Sequence, residues 1–292
     1  MKNISNFLKT LLFVFFLGII SVIANAQKKY PQKKYPQVQQ VSLRAPADIK
    51  IDGNAKEWHN TFQAWTKVDK MFYTISNDDN NIYLTVGTEG PNALGKIMFG
   101  GITFTISHSI DKKKRENDAG NISVTFPVTN ISKGEVLVYG DYKYFGNLMN
   151  DTIKNKKEID SLYFTMNKQA TEAFKLIKVK GIKEIDDTLI SIYNTTGIRA
   201  MAAFDRHIRY TYELAIPLKY FGLSVNDAIK FSYNIKLNGP THTVAYINPN
   251  FRGLPNMNFV EPPDNSFQHI DPRVYFQNYP SDFWAEYTLA KK

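Results

Sequence analysis

The chain has 292 residues, is 43% hydrophobic, lacks cysteine and carries a formal charge of +9. Without cysteine there are no disulfides and no thiol to lipidate, so a buried core alone must hold the fold. Two of the charges belong to Lys2 and Lys9 of an N-terminal leader, and four to Lys28, Lys29, Lys33 and Lys34 in the tail behind it. The remaining bias of about +3 is too weak for the concentrated basic face that nucleic acid demands.

Residues 1–26 read as a signal peptide: the two lysines precede an apolar run from Leu11 to Ala24, and Ala24-Asn25-Ala26 is a small-residue cleavage site. The run is shorter than the roughly 20 residues that cross a bilayer, and no second long apolar segment follows, so no transmembrane segment is expected. An exported chain is expected, periplasmic or extracellular and not a lipoprotein. Residues 27–41 open on a tandem repeat, Gln27-Lys28-Lys29-Tyr30-Pro31 and Gln32-Lys33-Lys34-Tyr35-Pro36. Prolines, like charges and few aliphatic side chains read as a flexible linker. A spacer is favoured over adhesion to anionic polysaccharide or lipid headgroups. Residues 42–292 are then one elaborated domain, of a length that single all-β domains reach.

Period-two alternation dominates that domain. Ile102-Thr103-Phe104-Thr105-Ile106 and Ile122-Ser123-Val124-Thr125-Phe126 have one apolar face and one face of small hydroxyls. Tyr210 to Ile216 and Ile229 to Leu237 alternate with β-branched and aromatic residues inward. Met71 to Val86 reads as a hairpin around the polar cluster Asn77 to Asn81. Two layers are needed to bury such faces, which predicts an all-β, two-layer antiparallel β-sandwich.

One segment breaks the rhythm. Met166, Ala170, Ala173, Phe174 and Ile177 fall at helical spacing and predict one short inserted helix. It lies in a polar, lysine-rich insertion from about Gly146 to Asp187, expected to decorate one end of the sandwich. Lys112, Lys113, Lys114 and Arg115, beside Glu116, Asn117 and Asp118, read as a solvated hairpin tip.

Ile51-Asp52-Gly53 with Glu57-Trp58, and later Glu213 to Leu218 with Phe221-Gly222-Leu223, resemble in this order the opening and late core strands of secreted β-sandwiches of the carbohydrate-binding family 9-like (DOMON-like) class. The turn Asp78 to Asn81 leading into Ile82-Tyr83-Leu84, and the final strand Phe283 to Leu289, extend the resemblance over nearly the whole domain. Gly53 permits a turn at positive φ, Asp52 can cap amides and Trp58 is expected to plug the core. Glu213 alternates with Tyr212 and Leu214 and is expected on the outer face, as scaffold. The resemblance further implies a saccharide held between exposed tryptophans by amide and charged side chains. With Trp58 assigned to the core and Trp284 to the last strand, Trp65 is the tryptophan expected at the surface.

The long segment from Asn238 to Asp282 interleaves rings with amides and a guanidinium, the chemistry a sugar needs for its C–H faces and hydroxyls. The candidate carbohydrate-binding residues are therefore Trp65, Tyr246, Asn250, Phe251, Arg252 and Tyr275; the competing reading is that these aromatics pin an irregular loop to the sandwich. Asp78 and Asp79 offer oxygens to Ca2+, but the cluster lacks EF-hand spacing and six to eight ligands, so no cofactor is expected. The five histidines have no zinc spacing, and no Met and His pair stands out for haem. Asp205, Glu213, Glu261 and Asp271 show no spacing for a glycosidase pair, and nucleophile-elbow and phosphate-loop motifs are absent. The expectation is a secreted, non-catalytic carbohydrate-binding β-sandwich that stacks saccharide on exposed aromatics. The alternative is a structural or protein-interaction domain of the cell envelope without a sugar site, and the partner is a saccharide or an envelope protein accordingly.

Overall fold

A computed structural model describes residues 35–59, 61–67, 71–88, 91–129, 156–207, 209–239 and 279–292. Among these residues the alternating segments form eleven strands in two antiparallel sheets. The five-stranded sheet contains β1 (Ala64–Thr66), β2 (Met71–Asn77), β3 (Asn81–Thr88), β8 (Arg199–Phe204) and β9 (Tyr210–Pro217), in the order β1-β2-β3-β9-β8. The six-stranded sheet contains β4 (Ile102–Ser107), β5 (Ile122–Val128), β6 (Leu176–Lys180), β7 (Leu189–Ser191), β10 (Lys230–Leu237) and β11 (Ser281–Thr288), in the order β11-β10-β4-β5-β6-β7.

The apolar rows of both sheets meet in one core. Ile102, Phe104 and Ile106 of β4 and Val124 and Phe126 of β5 are buried against Tyr212, Leu214 and Ile216 of β9. Phe126 and Tyr212 bring ring centroids to 5.9 Å across the layers. Each large side chain fully buried in this way stabilises the fold by about 1.5–3 kcal/mol. The core is rich in tyrosine, and two of these residues bridge the layers directly, with the Tyr73 and Tyr233 hydroxyls 3.1 Å apart. The Tyr73 hydroxyl also accepts from the Gln39 amide at 3.1 Å.

Gln39 lies in the stretch expected to be linker, yet the domain begins at Pro36 and Gln39 is buried. Its side-chain amide donates to the Ile75 carbonyl at 2.8 Å and accepts from the Ile75 N–H at 2.8 Å. A glutamine thereby does for the outer edge of β2 what a neighbouring strand would do. Farther along, the Leu43 N–H donates to the Tyr287 hydroxyl at 2.9 Å, and the Asn77 side chain binds the Ala290 backbone on both sides. Both ends of the domain are thus tied to β2.

The two phrases that carry the family resemblance are joined physically. Glu213 does lie on the outer face of the five-stranded sheet, but it is buried rather than solvated, because the loop at Asp52 to Asn54 covers it. Its Oε2 accepts the backbone N–H groups of Asp52 (3.0 Å), Gly53 (2.9 Å) and Asn54 (3.3 Å). Gly53 has φ +81°, and a Cβ there would lie 2.8 Å from the Cβ of Ala203 on β8. Glycine is required both for the turn and for this approach. Trp58, expected to plug the core, is only half-buried in a 3₁₀ turn (Lys56–Trp58), since the segment before it runs over the sheet and not between the layers.

Among the described residues two helices are present where one short helix was expected. Helix α1 (Pro91–Gly100) carries the chain from β3 to β4 and buries Ala93, Leu94, Ile97 and Met98. Proline at its first position, apolar residues three and four apart, and glycine at its end are the usual marks of a helix. Helix α2 (Lys156–Ala173) is 18 residues long. It stops before Ile177, which belongs to β6 and is paired with the sheet, so the insertion expected from Gly146 to Asp187 in fact contributes a strand. The side chain of Asn167 on α2 accepts from the Phe204 N–H at 2.9 Å and donates to the Phe204 carbonyl at 3.0 Å, satisfying the exposed edge of β8.

Burial pushes the Glu213 carboxyl up from its ordinary 4.5 to about 7, against the pull of the three amides that favour its anion. A raised folded pKa means that the associated stability is fully present below about 4.5 and is lost as pH rises toward 7. The Tm difference between the protein and Glu213→Gln is therefore expected to shift in favour of the variant between pH 4.5 and 7.5, as followed by circular dichroism. Glu213→Ala leaves three amides without an acceptor and is expected to cost about 2–4 kcal/mol in chemical denaturation. Gln39→Ala, which strips both bonds from Ile75, is expected to cost about 1–3 kcal/mol by the same measurement.

Candidate functional site

The outer face of the five-stranded sheet is covered at Glu213, while the outer face of the six-stranded sheet carries a groove of about 940 Å³. Strand register builds it from two cross-strand rows. One row runs Lys236, Thr103, Thr125, Lys178, and the next runs Trp284, Asn234, Thr105, Ser123, Lys180. Within these rows the two central strands supply small hydroxyl side chains, and the flanking strands supply longer ones. A low floor between tall walls follows directly from that distribution.

The floor is hydrogen-bonded within itself. The Thr103 and Thr125 hydroxyls lie 2.7 Å apart, and the Asn238 amide donates to the Thr103 hydroxyl at 2.8 Å. Asn238 also donates to the Gly100 carbonyl at 2.9 Å, fastening one end of the groove to the end of α1. A Cβ at Gly100 would run into the Gly239 carbonyl, so the two backbones can meet there only through glycine. The opposite end is closed by the turn containing Glu116, Asn117 and Asp118, with Asp118 accepting from the Ser107 hydroxyl at 3.1 Å and the Gly120 N–H at 2.9 Å.

Arg115 belongs to that turn and is not solvated as its charged neighbours led one to expect. It is 9% exposed, with its guanidinium 5.1 Å from the ring centroid of Trp284. The cation and the indole face attract one another, which withdraws the arginine from water and orients the ring that lines the groove. Asn121 reinforces the turn by donating to the Arg115 carbonyl at 2.6 Å. Asn234 beside Trp284 donates to Asp282 at 2.7 Å and to the Phe283 carbonyl at 3.0 Å, so its amide is held in place on the groove surface.

Of the six residues expected at the site, Tyr246, Asn250, Phe251, Arg252 and Tyr275 lie outside the described residues. Trp65 is half-buried on β1, in the other sheet, where it packs against Phe72 with ring centroids 6.3 Å apart. It is therefore not brought together with the groove. The Asp78 and Asp79 carboxylates engage protein donors: Asp78 accepts from the Asn80 and Asn81 amides and the Tyr83 hydroxyl, and Asp79 pairs with Arg44 at 2.9 Å and Lys292 at 2.6 Å. Burial raises the Asp78 pKa, but these hydrogen bonds outweigh it and hold the carboxyl below its usual range.

Trp284 was the tryptophan that sequence reasoning set aside. Strand parity could have recovered it, because Ala285 and Tyr287 face inward and their neighbour Trp284 must then face out with Asp282 and Glu286. Lys178 and Lys180 were missed because they were assigned to an insertion.

The arrangement offers hydroxyl, amide and ammonium groups around a shallow floor, with one indole ring at its side. Arg115→Ala is expected to cost about 1 kcal/mol and to shift Trp284 emission to the red, measured with tryptophan-selective excitation in a Trp58→Phe, Trp65→Phe background where Trp284 is the remaining tryptophan. No protein-family model, curated protein or solved structure matches this chain.

Proposed function

We propose that this chain is an exported, non-catalytic carbohydrate-binding β-sandwich of the family 9-like (DOMON-like) kind, which takes its saccharide on the outer face of the six-stranded sheet. The observation that carries the reading is the groove in which the Trp284 ring shares one cross-strand row with the Asn234 amide and the Thr105 and Ser123 hydroxyls. Sugars stack their C–H faces on aromatic rings and require donors and acceptors for their hydroxyls, and a flat sheet face presents both at fixed spacing. The floor needs little reorganisation on binding, since its side chains are already held by hydrogen bonds within the sheet.

A glycan array followed by calorimetry tests the reading. Trp284→Ala is expected to weaken binding about tenfold, through loss of about 1–1.5 kcal/mol of ring contact. Trp65→Ala, on the opposite sheet, is expected to leave binding within about twofold. A chain that binds no glycan on the array overturns the proposal.

A further inference from the structure

We infer that the ligand of this groove is an acidic polysaccharide, bearing carboxylate or sulfate groups, an inference that rests on the carbohydrate reading above. Three lysines, Lys178, Lys180 and Lys236, line the groove. Register sets their places: Lys236 and Lys178 stand at the two ends of one row, three strand spacings or about 14 Å apart. Lys178 and Lys180 share the outer face of β6 about 7 Å apart along the strand.

Among the described residues, no carboxylate lies within ion-pair distance of any of these three ammonium groups. Some cations elsewhere on the surface are partnered. Lys230, on the same strand and face as Lys236 but outside the groove, pairs with Glu286 at 3.2 Å, and Arg209 pairs with Asp205 at 2.6 Å. Asp282 is the direct cross-strand neighbour of Lys236, yet its Oδ2 accepts from Asn234 instead.

The carboxylates of the groove, Glu116 and Asp118, sit at its far end, beyond the row of Trp284, and Asp118 is taken up by Ser107 and Gly120. The groove is thus polarised. A polymer laid across it places neutral ring faces near Trp284 and its anionic substituents over the lysines, with more than one lysine engaged by successive residues. A neutral glycan gains only hydrogen bonds to its hydroxyls from these three ammonium groups, whereas each anionic substituent gains a shorter, stronger bond between opposite charges.

The test titrates the whole chain by calorimetry with a polyuronate, a sulfated galactan and a neutral glucan. The protein is compared with Lys178→Gln/Lys180→Gln/Lys236→Gln and with a charge control, Lys112→Gln/Lys113→Gln/Lys114→Gln, all checked for folding by circular dichroism. Expected is binding to at least one acidic polymer, weakened about tenfold or more by the groove substitutions and by raised salt, and unchanged in the control. Whether the polyuronate or the sulfated polymer binds identifies the anionic group. The exposed single variant Lys180→Gln, expected to weaken binding severalfold, replaces the triple variant if the latter does not fold. Binding of the neutral glucan as tightly as the acidic polymers, or equal weakening by control and groove variants, overturns this inference and leaves the carbohydrate reading standing. Failure to bind all three, with no ligand on the glycan array, overturns both.

Discussion

A single carboxylate oxygen, Oε2 of Glu213, receives three consecutive backbone amides from the loop at Asp52 to Asn54. Those amides belong to a turn that crosses the outer face of β9 and β8, where Gly53 is buried and its N–H left alone would be costly. The carboxylate satisfies them, and the loop in return buries the carboxylate. Because Gly53 has no side chain, the turn can come down onto Ala203 closely enough for those bonds to form. The outer face of the five-stranded sheet is thereby covered at this position, and the polar groove lies on the other sheet.

The rest of the fold keeps that second sheet in one geometry. Tyr73 and Tyr233 link the layers through their hydroxyls, and Gln39 and Asn77 bind the edge of β2 to segments near both ends of the domain. Helix α2 satisfies the edge of β8 through Asn167, which leaves that strand less ready to pair with another chain. A groove floor made of paired strands, backed by a packed aromatic core, places its side chains by the sheet ladder itself. Strand spacing and pleat then set the distances between Trp284, the threonines and the lysines.

Much of this was legible in the sequence. Alternation in Ile102 to Ile106, Ile122 to Phe126 and Ile229 to Leu237 predicts the strands and which side chains face the core, and in the first two it also predicts that small hydroxyls line the outside. The helical spacing at Met166, Ala170 and Ala173 is real, but the same spacing continued to Ile177 fails, because pairing with neighbouring strands claims that residue. Local periodicity cannot report a competing partner that lies elsewhere in the chain. Arg115 failed for the same reason: among lysines and acids it reads as solvated, and only the indole of Trp284, 169 positions away in the sequence, gives it a buried place.

What the sequence by itself determined is parity: which residues of each strand point inward, and hence the chemistry of each outer face. A side chain's direction along a strand is a local property of the pleat, so a string of letters suffices to state it. What only the tertiary structure decided is which outer face is covered and which carries the groove, and which residues share a row on it. Covering depends on a loop finding Glu213 across about 160 residues of chain, and rows depend on strands far apart in the sequence, with β10 beside β4 and β6 joined to β5 only after helix α2. Both are long-range contacts, fixed by burial and hydrogen bonding between segments that carry no local sign of one another.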